Sequence, residues 1–299
     1  MLAAAIAVAS SLVAERAHAQ ACCIAPGVAG VTRLAPGETA LVGVDSRAET
    51  ALGRLDAAGK FVRNAPGSRD LSLQQDVFAA LRVVPRVEVS AAVPFLWNYR
   101  STDATSSTGA GIGDVRVASR ITLAHADDVR PWPGVALTIG LSAPTGRPPE
   151  SASDPLGAGA TGTGTTQGWG GVALEQTTGP WLLGANALVV ARAPRDVGDS
   201  RLSLSPRFTS SLLAAYAFRS GAALALGTSW DVEDRASIDG RIVPGSARRA
   251  LRVTAGLQLR LGEQARLVMS ATTVPPVPVV TAGESSTFGL SISLVHPWS

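Results

Sequence analysis

Beyond its first fourteen residues the chain has no long hydrophobic run. A helix that crosses a bilayer needs about 18 or more consecutive apolar residues, and the most apolar stretches here, Trp181 to Ala191 and Leu212 to Leu226, are short or interrupted by Asn186 and Arg219. Charge is scarce at 16%, with a net value of +3, but Val, Leu and Ala are abundant, which excludes a disordered tail. The two cysteines, Cys22 and Cys23, are adjacent, so they close no loop and form no disulfide framework or CxxC metal pattern. Lys60 is the only lysine among 26 basic residues, and the arginines are scattered among carboxylates rather than clustered with aromatics, which argues against nucleic acid as a partner. What is present is apolar content spread thinly along the chain. Hydrophobic residues make up 46% of the 299, and the mean hydropathy is +0.22.

The one apolar block, Leu2 to Ala14, is followed by a polar stretch and the small-x-small triplet Ala17, His18, Ala19. This reads as a signal peptide over 1–19, although its charged region is reduced to the amino terminus. Residues 20–38 are expected to be a flexible periplasmic segment, with lipidation of Cys22 or Cys23 as the rival reading. Residues 39–299 are expected to form the folded domain.

That domain shows period-two alternation, the pattern of strands with one apolar and one polar face. In Val87 to Arg100, Val87, Val89, Ala91, Val93, Phe95 and Trp97 share one face, whereas Glu88, Ser90, Asn98 and Arg100 share the other. Leu251 to Leu261 repeats it. The same reading gives twelve segments: 40–53, 70–83, 87–99, 113–124, 135–142, 167–176, 181–192, 202–218, 221–230, 249–261, 265–273 and 286–296. The sixth alternates poorly. Connections of two to four residues (84–86, 177–180, 219–220 and 262–264) alternate with connections of about nine to two dozen; about ten residues separate segments four and five. Short turns at one end and long loops at the other are the layout of bacterial outer-membrane barrels, with periplasmic turns and outer loops. In lipid every backbone N–H and C=O needs a protein partner, so such a sheet spans only if it closes. The expected fold is therefore all-β: a transmembrane antiparallel barrel of about 12 strands, exported to the outer membrane of a Gram-negative cell.

Fourteen aromatic residues exist, and Trp97, Tyr99, Trp132, Trp169, Trp181, Phe218, Trp230 and Trp298 fall at or near strand ends, as expected of interface girdles. If Val, Leu and Ala face lipid, the opposite face lines the lumen. That face carries Arg47, Asp76, Arg82, Glu88, Asp114, Arg116, Arg120, Arg192, Arg207, Arg252, Arg260 and Arg266, together with Asp45, Glu49 and Glu175. Arginines and carboxylates so mixed would pair across strands and solvate the wall, with a weak anion preference from the arginine surplus as the alternative. The longest loop, 143–167, is rich in Pro, Gly and Thr; it is read as a mobile external loop, with inward folding as a constriction the alternative. Pro275, Pro276 and Pro278 end the eleventh strand.

Enzyme patterns are missing. There is no HExxH or GxSxG, the glycines at 109, 111 and 113 are followed by Asp114 rather than by a phosphate-loop lysine, and the only histidines after the signal region, His125 and His296, sit at strand ends. No enzyme activity, cofactor or metal is expected.

Residues 111–120, GIGDVRVASR, the APTG at 143–146 and GWGGVALEQTTGPWLLGANALVVAR at 168–192 resemble outer-membrane barrels of the phenol-degradation meta-pathway transporter type. The resemblance covers residues 70–296 in layout. It implies a barrel that passes small, often hydrophobic or aromatic, molecules, and it transfers no catalytic residue. Such barrels usually end in an aromatic that the outer-membrane assembly machinery recognises, whereas here Trp298 is followed by Ser299. The expected partners are outer-membrane lipid, that machinery and a small-molecule solute. The rival readings are a non-conducting structural or adhesion barrel and a secreted soluble β-sandwich that binds a ligand.

Overall fold

The structure, a computed structural model, describes residues 33–299 apart from 57–59, 127–131, 263 and 279. Twelve antiparallel strands form one closed barrel: β1 (Ala40–Leu55), β2 (Arg69–Val84), β3 (Val87–Ser101), β4 in two pieces (Ser106–Ile112 and Val115–Ala124), β5 (Gly134–Ala143), β6 (Gln167–Thr178), β7 (Trp181–Arg192), β8 (Arg207–Ala217), β9 (Ala223–Glu233), β10 (Arg248–Leu261), β11 (Ala265–Val274) and β12 (Ser285–Trp298). Each strand pairs with its neighbours in sequence. The ring is sealed where β1 meets β12, in a register running from Ala40 opposite Trp298 to Arg54 opposite Ser285. This closure rules out the soluble sandwich. The signal-peptide and cysteine expectations, residues 1–32, lie outside the described residues.

Alternation decides which face meets lipid. Val77 and Leu81 on β2, Val93 on β3, Val117 on β4, Ile139 and Leu141 on β5, Leu226 on β9 and Leu294 on β12 are large, apolar and exposed, while their sequence neighbours Asp76, Ala80, Ala118, Thr138 and Val295 are buried. Two aromatic levels bound this band. Trp97 and Tyr99, stacked with centroids 6.4 Å apart, lie at the outer ends of the strands with Phe208 and Trp230. Trp181, Tyr216 and Phe218, in two edge-to-face contacts of 5.0 Å, lie at the periplasmic ends with Trp298, whose ring meets His296 edge-on at 4.4 Å. Phe208 and Phe218 are separated by ten residues of one strand, which at about 3.3 Å per residue and a tilt near 40° gives the roughly 25 Å of an outer-membrane apolar band.

Several expectations are corrected. The first piece of β4 pairs with β3 up to Ser101 opposite Ser106, so the connection read as a loop of a dozen residues is a four-residue turn, Thr102 to Thr105. Between the two pieces, Gly113 and Asp114 bulge out of the ladder opposite Pro94. The Gly113 N–H donates to the Pro94 carbonyl at 2.8 Å, so the side of Pro94 that lacks an N–H also faces the bulge, where proline costs no ladder bond. Residues 202–203, read as the start of the eighth strand, belong instead to Ser200–Ser203, part of a four-stranded sheet built from two outer loops with Arg195–Val197, Ser237–Ile238 and Arg241–Ile242. Residues 33–38, read as part of a flexible segment, are packed inside the periplasmic mouth. There Leu34, 1% exposed, joins Leu41, Phe78, Ala80 and Val295 in an apolar cluster.

Candidate functional site

The lumen has two levels. On the periplasmic side the inner wall carries a second buried apolar cluster, Leu182, Ala215, Ala223, Ala225 and Val268, beside the one around Leu34. The segment 33–38 is tied across the mouth at points spread around the ring. Arg33 pairs with Glu175 on β6 at 2.6 Å, the Leu34 N–H points to Glu88 on β3, Arg82 on β2 donates to the Ala35 carbonyl, and Glu38 pairs with Arg266 on β11 at 2.9 Å. Hydrogen-bonded charge pairs are tolerated at this depth because each partner satisfies the other.

Above this level a cavity of about 910 Å³ extends from the outer loops, at Pro149, Thr163, Arg195 and Leu202, down to Gln74, Arg116 and Thr209. Seven arginines and five carboxylates line it, among them Arg116, Arg192, Arg207, Arg248 and Arg252 against Glu49, Asp114, Asp231 and Glu233. Most are paired across strands. Arg192 makes a fork-to-fork pair with Glu233, with bonds of 2.6 and 2.8 Å; Arg116 meets Asp76 at 2.9 Å; Arg252 lies 3.9 Å from Asp231. Pro94, Leu96, Trp169, Leu188 and Val190 supply an apolar side to the same cavity.

The residues chosen from sequence as lumenal lie on the inner-facing parity of their strands, with Asp114 in the bulge between the two pieces of β4, but at different levels. Arg116, Arg192, Arg207 and Arg252 line the cavity with Asp114, and Asp76 pairs with Arg116 at its edge. Arg47 lies beside Asp45 at 3.6 Å, next to Glu49 and Ser72. Arg82, Glu88, Arg120 and Arg266 serve the periplasmic level, where Arg120 shares Glu175 with Arg33. Arg260 sits at the periplasmic rim, its Nε donating to the Gly262 carbonyl. Asp231, Glu233, Arg195 and Glu38 were not singled out from sequence, because they lie at or beyond the strand ends as drawn there.

Of the aromatics read as girdle, two depart from strand ends on the outer face, and Trp169 is the first. It points into the lumen, where a β-carbon on Gly140 of the neighbouring strand would lie 2.1 Å from the indole ring. Trp132 stands in the periplasmic connection, 75% exposed and off any strand. Tyr216 and Phe208 were missed as girdle residues.

The long loop, residues 144–166, folds inward, contrary to the expectation of a mobile external loop. Its seat is the inner face of β4, where glycines at 109, 111 and 113 leave room for backbone: a β-carbon on Gly109 would lie 2.4 Å from the Ala158 carbonyl, and one on Gly113 3.0 Å from that of Thr161. Asn98 donates to the carbonyls of Ala158 and Ala160 at 3.0 and 2.9 Å, and Arg100 to those of Leu156 and Gly157. Asp114 accepts the Gly146 N–H, while the Thr161 hydroxyl donates to the Ile112 carbonyl. Within the loop, the N–H groups of Gly159 and Ala158 donate to Asp154 and hold its carboxyl below the ordinary aspartate range, against the opposing effect of desolvation. Among the described residues no group of three or more metal-ligating side chains occurs.

Comparison with known proteins agrees with this geometry. The profile of the family described as "Putative MetA-pathway of phenol degradation" matches residues 59–273. The COG4313 outer membrane channel from Pseudomonas putida F1 superposes with a TM-score of 0.70 at 16% identity, covering 89% of this chain and all of that one. The beta domain of the Bordetella autotransporter BrkA superposes with a TM-score of 0.53 at 10% identity, over 87% of this chain and all of that one. At these identities the two solved structures establish the shared fold alone, a closed antiparallel β-barrel. No curated protein matches.

Proposed function

From the premise that the chain belongs to the family described as "Putative MetA-pathway of phenol degradation", we propose that it is a passive outer-membrane channel for small, hydrophobic or aromatic molecules. The observation that carries this reading is the outer cavity of about 910 Å³, which pairs an apolar wall of Leu96, Trp169, Leu188 and Val190 with a polar wall of cross-paired arginines and carboxylates. Such a surface offers a ring somewhere to rest without binding it tightly enough to stop passage, the balance that conduction requires. A barrel that only held the membrane or displayed loops would have no use for an inward-folded loop seated by a dedicated row of glycines. The name of the P. putida relative, an outer membrane channel, supports the reading.

The proposed mechanism is diffusion without covalent chemistry. A solute enters between the outer loops, passes the strip left by loop 144–166, and meets the periplasmic level where residues 33–38 are held by ion pairs. Insertion of the refolded barrel into planar bilayers tests this. Discrete conductance steps are expected, whereas a barrel that inserts and never conducts would leave the structural or adhesion reading standing instead.

A further inference from the structure

The channel reading leaves open what chemistry the cavity prefers, and one row of its wall speaks to that. In register across four neighbouring strands stand Gly140, Trp169, Val190 and Arg207. All four face the lumen. Strands are spaced about 4.8 Å apart, so the backbones of Trp169 and Arg207 are about 10 Å apart with the short apolar Val190 between them. Gly140 has no side chain, which lets the indole settle against β5 and leaves the remaining ring surface lining the cavity.

Two members of this row carry a buried N–H donor without an acceptor among the described residues: Nε1 of Trp169 and Nε of Arg207. Buried donors are almost always satisfied, and leaving one open is costly. The carboxylates nearest Arg207 are engaged elsewhere. Glu233 is held by both terminal nitrogens of Arg192, and Asp231 takes the Thr209 hydroxyl and faces Arg252. Among the described residues the Arg207 charge therefore has no partner within salt-bridge distance. A cavity-lining indole and, two strands away, a guanidinium without an ion-pair partner among the described residues match one shape of ligand.

Resting on the channel reading, we infer that this row is a recognition subsite for a monoaromatic anion, a benzoate-like carboxylate or a phenolate. The ring lies against the cavity-facing side of Trp169, and the anionic oxygen accepts from the Arg207 guanidinium where it lines the cavity. Neutral aromatics meet the same wall without the charged contact, and aliphatic anions meet the arginine without the ring contact. The subsite thus favours molecules that have both features.

Titration calorimetry on the purified barrel in detergent tests this with three probes: sodium benzoate, benzyl alcohol and acetate. Benzoate is expected to bind at least tenfold more tightly than either of the others. Arg207→Gln is expected to weaken benzoate about tenfold and leave benzyl alcohol unchanged, as loss of one charge-assisted hydrogen bond does. Trp169→Leu is expected to weaken benzoate and benzyl alcohol alike. Each variant is checked for folding by its heat-dependent gel shift, and the comparison of the three probes on the unaltered protein stands whatever the variants do. Equal binding of all three probes, or an Arg207→Gln barrel that folds and binds benzoate unchanged, overturns the subsite. Bilayer conductance without benzoate is read separately. A conducting barrel indifferent to benzoate refutes the subsite alone, and a barrel that binds benzoate but never conducts refutes the channel reading alone.

Discussion

The Asp114 carboxylate accepts both the backbone N–H and the hydroxyl of Thr163, each at 2.7 Å, across 49 residues of sequence. It is the bond pair that fastens the far end of the inward loop to the bulge in β4. Asp114→Ala removes these contacts and the one to Gly146 while touching no lipid-facing residue. The expected result is a folded barrel whose loop is released: faster proteolytic nicking between 144 and 166, and larger, noisier single-channel currents. An unchanged current and nicking rate would show that the loop is held without Asp114.

The glycine row makes an independent prediction of the same phenotype. Gly109→Val places a side chain where the Ala158 carbonyl and Gly159 Cα now lie, 2.4 Å from the new β-carbon. Since the backbone of a packed loop cannot yield by that much, the loop is expected to leave its seat, with nicking like that of Asp114→Ala. Gly179→Ala, at a periplasmic turn with open space around it but a φ of +56°, serves as a control. It strains only its own turn and leaves the loop in place.

Asp154 gives the loop a pH dependence. Its carboxyl titrates below the unfolded value of 3.8 because the N–H groups of Gly159 and Ala158 donate to the charged form. A depressed folded pKa means that this contribution is fully present above the unfolded pKa and is lost as pH falls through the folded one. The loop is therefore expected to stay seated at pH 5 to 7 and to loosen only below about pH 3.8. Hydrogen exchange at Ala158 and Gly159 as a function of pH measures it. Loosening that begins above pH 5 would assign the transition to another group.

The face assignment predicts an asymmetry between neighbours. Val117→Arg and Leu257→Arg put a charge into lipid and are expected to cost about 2 to 4 kcal/mol near mid-membrane. Arg252→Ala, on the water-filled side and only 3.9 Å from its carboxylate partner, is expected to leave the folded yield nearly unchanged. Urea unfolding in detergent or lipid measures both, and equal costs would mean the faces are reversed.

The buried fork between Arg192 and Glu233 predicts non-additivity. Glu233→Gln leaves Arg192 with a poorer partner, and Arg192→Met leaves a buried carboxylate alone; each is expected to cost more than the double variant. Unfolding free energies of the three barrels test this. Strict additivity would mean that the pair is as well solvated apart as together.

The barrel was legible because its information is local and periodic. β3 and β10 announce themselves by strict alternation, and the turns at 85–86, 179–180 and 262–264 by length alone. What failed was whatever depended on contacts distant in sequence. Trp169 was misplaced because Gly168, Gly170 and Gly171 blur the alternation of β6, and a tryptophan at a strand end reads by default as girdle. The signal available was a glycine, Gly140, in the preceding strand, since a large ring and a missing side chain often face each other across a ladder. The inward loop was hidden for the same reason. Residues 111–120 carry the family resemblance and the glycines at 109, 111 and 113 make no phosphate loop, but nothing in the local sequence says that the space those glycines leave is filled by a loop some 50 residues further on. Residues 33–38 looked like a linker because their anchors, Glu88, Glu175 and Arg266, are scattered over three strands.

Passage of a solute is the central claim, and a swelling assay tests it most directly. Proteoliposomes holding the barrel are diluted into sodium benzenesulfonate, whose fixed charge keeps it from crossing lipid unaided, and separately into a sugar of similar size. Swelling well above that of protein-free liposomes, and faster with the aromatic solute than with the sugar, is the predicted result. Swelling no faster than that of protein-free liposomes with either solute would contradict the account.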